Sequence, residues 1–157
     1  MLFRSVIVGG TINTAGNFDP MVVRWSDIGT KTNAEQNWTA SSTSLSRQIR
    51  LLVGSRIVGI KVSNNEVLIW TDKALYALTY ANNDNIVYSV RLVGINCGLI
   101  GPNAAVVIGG VAYWMSQGMF YSYAGGAPTP IPSGIQKDVF DNISLVQQDK
   151  IYAGSIS

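Results

Sequence analysis

Three of the four tryptophans set the scale of this chain. Trp25, Trp70 and Trp114 stand 45 and 44 positions apart, and each has a valine three positions before it: Val22, Val67 and Val111. Trp25 and Trp70 are each followed by a hydroxyl residue and an aspartate, Ser26-Asp27 and Thr71-Asp72. Five positions after Trp70 comes Leu75-Tyr76, and five after Trp114 comes Met119-Phe120. Around these markers apolar residues recur mostly with period two, which puts alternate side chains on opposite faces of a strand.

The strands are short and closely spaced. Ile57–Val62, Glu66–Trp70, Ala74–Tyr80 and Ile86–Val93 read as four in succession, separated by Asn64-Asn65, by Thr71-Asp72-Lys73 and by Asn82-Asn83-Asp84. The pattern returns at Ala104–Ile108, Val111–Trp114 and Met119–Tyr123, with Gly109-Gly110 as a hairpin turn. Met21–Trp25 is a further strand inside a Thr/Ser/Asn-rich excursion over 13–46, where Trp38 serves as an anchor.

A repeat of about 40–50 residues carrying about four strands is the mark of a β-propeller, because a four-stranded blade exposes two faces that only its neighbours can cover. The expected fold is therefore all-β: a partial β-propeller of four-stranded antiparallel meander blades with a repeat of about 44–45 residues. The blades would span 1–48, 49–95 and 96–149, and 150–157 would open a further one, with Ile151–Ile156 as its inner strand. A β-sandwich with chance spacing is the competing architecture. One helix is expected near 134–146, where Ile135, Val139, Phe140, Ile143 and Val146 fall at helical spacing, Ser133 offers a cap and Asp138 and Asp141 lie on the wet side.

Composition bounds what such a fold can do. The 157 residues are 47% apolar and only 13% charged, with a net charge of +2 and no Lys/Arg run, so the basic stripe of a dedicated nucleic-acid binder is missing. From Leu92 to Gln136 no residue is charged. Glycines and Pro102 interrupt that run too often for a membrane helix, and so much uncharged surface predicts a buried contact face.

The residues for common catalysis are also missing. There is no histidine, and so no Ser-His-Asp or Cys-His pair and no ordinary zinc site. The acids are scattered, and Asp84 among its asparagines lacks an EF-hand register, so a solvated turn is expected there. Gly9-Gly10, Gly109-Gly110 and Gly125-Gly126 lack the rest of a phosphate loop. The lone cysteine, Cys97, reads as a small buried thiol. Tyr113, Trp114, Phe120, Tyr121 and Tyr123 would suit either a core or a platform for sugars or bases. These features point to a protein that is not an enzyme, with no cofactor, no metal and no small-molecule substrate.

One stretch is more specific. Val67–Tyr76 (VLIWTDKALY), Gly94–Ala104 (GINCGLIGPNA), Val111–Met115, Val139-Phe140-Asp141 and Ile151–Gly154 resemble segments of a family of tailed-phage structural proteins, similar to the tail accessory or nozzle proteins of podovirus-like phages, also described as packaged-DNA stabilisation proteins. The resemblance spans roughly 20–157. It implies a β-propeller protein that forms a homo-oligomeric ring below the portal, contacts portal and other tail proteins, and retains or channels DNA as passing cargo. It places the chain in the virion, made in the bacterial cytoplasm, away from any membrane. Family members are several times longer, so a fragment is implied. The matching residues, Trp70, Thr71, Asp72, Asn96, Cys97, Gly98, Gly101, Pro102, Asn103, Tyr113 and Trp114, look architectural, with Gly98 and Gly101 allowing turns closed to other residues and Pro102 fixing one. A carbohydrate- or receptor-binding propeller module is the alternative.

Overall fold

The computed structural model describes residues 5–27, 38–41, 44–83 and 86–156; Glu35 and Asp84 lie outside these. Among the described residues there are eleven strands, one α-helix and one 3₁₀ helix, so strand dominates as expected. Strands β1 (Ile7–Ile12), β2 (Phe18–Trp25) and β3 (Arg47–Arg50) form the first sheet. Strands β4 (Ile57–Val62), β5 (Glu66–Thr71), β6 (Ala74–Asn83) and β7 (Ile86–Ile95) form the second. Strands β8 (Ala105–Ile108), β9 (Val111–Met115), β10 (Phe120–Tyr123) and β11 (Thr129–Ile131) form the third. Every pairing is antiparallel between strands consecutive in sequence, so each sheet is a simple meander.

The three tryptophans occupy the second strand of each sheet. Trp25 lies opposite Ile7, Trp70 opposite Gly59 and Trp114 opposite Ala105. On the other side Trp70 faces Leu75, as the five-residue offset predicts, but Trp114 faces Tyr121 and not Met119. The β9–β10 connection is two residues longer than the β5–β6 turn, so the offset holds for one sheet and slips in the other.

Alternation along the middle sheet sends its side chains into two cores. Ile69, Ala74, Tyr76 and Leu78 join Met21, Val23 and Trp25 of the first sheet. Leu68, Trp70, Leu75 and Ala77 join Ala105, Ala112, Trp114 and Tyr123 of the third. The middle sheet is therefore covered on both faces, which explains why β5 reads as a nearly continuous apolar run. The sheets also meet along their first strands, where β4 lies against β1 and β2 on one side and β8 on the other. Eight of the twelve buried residues in the second core come from the uncharged run 92–136.

Several expectations need correction. The first sheet has three strands among the described residues, not four. Ile151–Ile156 pairs in no sheet, so the inner strand expected there is absent. The helix is split: α1 covers Gln136–Asn142, and a 3₁₀ helix covers Leu145–Lys150. The Ser133 side chain does not cap α1; its carbonyl takes the Gln136 N–H instead. Ile135 and Val146 are exposed while Phe140 packs on Phe120, so only part of the apolar stripe is used.

Candidate functional site: the crossing between the second and third sheets

The chain must pass from β7, the last strand of the second sheet, to β8, the first strand of the third, across the end of the middle sheet. Residues 96–104 make this crossing, and eight of the eleven family-like residues lie in it or in the turn it rests on. That turn, Thr71-Asp72-Lys73, joins β5 to β6. The buried Thr71 hydroxyl accepts the N–H groups of Lys73 and Ala74 at 3.2 and 2.8 Å and donates to the Val53 carbonyl at 2.9 Å. A hydroxyl at this position closes the turn and holds the preceding crossing.

Asp72 grips that same preceding crossing. Its carboxylate accepts the Ser55 N–H at 2.7 Å, the Ser55 hydroxyl at 2.8 Å and the Arg56 N–H at 3.4 Å. Partial burial pushes the carboxyl up, but the bonds from Ser55 and Arg56 outweigh it and hold the group below the ordinary carboxylate value.

The 96–104 segment is tied from both sides through the backbone. Cys97 N–H donates to Lys73 O at 3.2 Å, Leu99 N–H to Thr71 O at 3.0 Å and Ile100 N–H to Met115 O at 3.0 Å. At two positions such contact leaves no room for a side chain. A Cβ on Gly98 would lie 2.3 Å from the Asp72 carbonyl carbon, and one on Gly101 would lie 2.1 Å from the Gln148 oxygen. These glycines are needed for close approach and not for a left-handed turn: neither has a positive φ, and the residue that does is Asn96, at 56°. Pro102 sits in the turn closed by Ala104 N–H to Gly101 O at 3.1 Å, as expected of a residue with φ already fixed. The Asn103 carbonyl accepts the Ala153 N–H at 2.8 Å.

Aromatic residues fill the space beneath. Trp70 and Trp114 meet edge to face at 5.5 Å, and Trp114 stacks on Tyr121 at 5.6 Å. The Trp114 indole N–H donates to Cys97 O at 2.8 Å, and the Tyr121 hydroxyl donates to Asn96 O at 3.3 Å. The sequence left Tyr113 and Trp114 as core or platform. Trp114 is 3% exposed and committed to the core, whereas Tyr113 is 39% exposed on the opposite face. Cys97 is buried, and desolvation pushes its thiol above its ordinary value, which favours the unreactive protonated form.

Sequence reasoning missed a polar contact across the same interface. Arg91 of β7 donates to the Tyr123 hydroxyl at 2.6 Å and stands 3.4 Å from the Glu66 carboxylate. Burial, then the bond to Glu66, push the Tyr123 phenol above its ordinary value, so it stays neutral. The three residues lie far apart in sequence, and only the strand register brings them together. Among the described residues no three His, Cys, Asp or Glu side chains cluster to hold a metal, and no helix is long and apolar enough to cross a membrane. Compared with known proteins, the chain matches no family model and no curated sequence.

Proposed function

We propose that this chain is a three-blade segment of a β-propeller in a tailed-phage virion, a nozzle-like structural component that assembles as a homo-oligomeric ring below the portal and lets packaged DNA pass. The supporting observation is the repetition of one unit: three meanders stacked face to face, each with its tryptophan on the second strand, with neighbours meeting along their first strands. Layers that repeat in this way are the construction of a propeller, and the family-like residues act within it as joints. The virion role itself rests on the resemblance at Val67–Tyr76 and Gly94–Met115.

The experiment is to mix the purified full-length gene product with the portal ring of the same phage and image the products by electron microscopy. A ring seated on the portal is expected. A monomer that ignores the portal contradicts the proposal. The alternative, sugar binding by Trp114 and Tyr121, is disfavoured because Trp114 is buried with its N–H engaged.

A further inference from the structure

A polar cavity opens between the turns of the second and third sheets, at the end of the molecule away from the 96–104 crossing. It measures about 210 Å³ and is bordered by Asn64, Asn65, Glu66 and Thr79 on one side and by Gly110 and Gly125 on the other. Both walls belong to four-stranded sheets. No apolar side chain larger than alanine lines it, whereas the cavity of about 310 Å³ beside β1 is lined by Ile7, Ile60, Leu78 and Tyr88.

The walls are held in place by bonds between the two sheets. The buried Ser63 donates its hydroxyl to Gly110 O at 3.2 Å. A Cβ on Gly110 would overlap the Asn64 amide, so glycine there lets the two turns touch and fixes where that amide lies. Behind the cavity Arg91 joins Glu66 to Tyr123, two residues before Gly125. A cavity braced in this way is formed before any ligand arrives. Its polar groups are nonetheless unused: the side chains of Asn64, Asn65 and Thr79 hydrogen-bond to no other residue.

We infer that this cavity binds one neutral sugar residue. Two amides and a hydroxyl both donate and accept, as the hydroxyls of a sugar do. The Glu66 carboxylate accepts hydroxyl groups strongly, and its charge is already met by Arg91 at 3.4 Å. An amine would have to compete with Arg91 for Glu66, and an anion would face the carboxylate. A nucleobase would find no aromatic side chain to stack on. The volume admits a single sugar ring. The lining holds one carboxyl group, and hydrolysis by paired acids needs two, so the sugar is bound and not cleaved. The site lies apart from Trp114 and Tyr121 and stands whether or not the chain serves in a virion.

The test is titration of the whole isotope-labelled chain with methyl glucoside, methyl galactoside and N-acetylglucosamine, followed residue by residue by NMR. At least one of these sugars is expected to shift the side-chain amide signals of Asn64 and Asn65 and the backbone signals of Gly110 and Gly125, saturating in the millimolar range. Thr79→Val keeps the shape of a strand residue and removes only the hydroxyl; Asn65→Ala changes an exposed turn position. Each should weaken binding about tenfold, with the rest of the spectrum unchanged. Glucosamine and glucuronate, which are charged, and acetamide, which offers only an amide, should bind more weakly than the neutral sugars. Three results overturn the inference: no shift at these residues with any neutral sugar, binding that both substitutions leave intact, or tighter binding of a charged sugar or acetamide.

Discussion

The two crossings on either side of the middle sheet do the same job by different means. Between β3 and β4, the N–H groups of Leu52 and Val53 go to the Tyr76 hydroxyl at 3.2 and 2.8 Å, and those of Ser55 and Arg56 go to the Asp72 carboxylate. Between β7 and β8, the N–H groups of Cys97, Leu99 and Ile100 go directly to backbone carbonyls. The first crossing is held mostly by side chains, with one backbone bond from Asp72 N–H to Arg56 O at 3.1 Å. The second lies in van der Waals contact with the chain it crosses. A crossing held by side chains depends on which residues reach it, whereas one held by backbone depends on glycine at its points of closest approach, here Gly98 and Gly101. Removing a side-chain oxygen should therefore weaken the first crossing more than the second, whereas an added carbon at Gly54 or at Gly98 has no room in either.

The largest effect should come from the aromatic filling of the second crossing. Trp114→Ala empties the space beneath residues 96–99 and leaves the Cys97 carbonyl without its indole donor. A loss of about 4 kcal/mol is expected in urea unfolding monitored by circular dichroism. Gly98→Ala should follow, at about 2–3 kcal/mol, because the added carbon meets backbone that cannot swing aside. Gly134→Ala is the control: nothing lies within 4 Å of its added carbon, and stability should barely change.

At the first crossing, Tyr76→Phe removes one oxygen and leaves two N–H groups without their acceptor. Thermal unfolding should show a loss of about 1–2 kcal/mol. The smallest effect should be electrostatic. The Asp72 carboxyl lies below its ordinary value in the folded chain, so its contribution is fully present at neutral pH and is lost as pH falls through and below the usual carboxylate range. Asp72→Asn should flatten the decline in stability over that acid window. A slope unchanged by the substitution would remove Asp72 from the account of the first crossing.

Much of this architecture was legible. The middle sheet was read strand by strand, because Ile57–Val62, Glu66–Trp70 and Ala74–Tyr80 are short apolar-rich runs separated by Asn64-Asn65 and Thr71-Asp72-Lys73; β6 runs on to Asn83, through residues expected to turn. The Gly109-Gly110 hairpin was legible too, and both residues adopt the positive φ that such a two-residue turn requires. Three strands escaped for specific reasons. β1 contains Gly9-Gly10, which reads as a turn; β3 is Arg-Gln-Ile-Arg, with too little apolar contrast; and β11 is three residues built around Pro130. That proline is tolerated because β11 is an edge strand with no neighbour on one side. At the crossing, the residues were visible but their job was not. Gly98 looked like a turn former, and only the approach of Asp72 in space shows why a side chain is excluded.

The account turns on the equivalence of the three sheets. An experimental structure of the chain tests it directly, by superposing the first sheet on the second and the second on the third. The account predicts one common rotation for both steps, with the Cα atoms of Trp25, Trp70 and Trp114 brought into coincidence. Unrelated rotations, or tryptophans that fall on different strands, would contradict it.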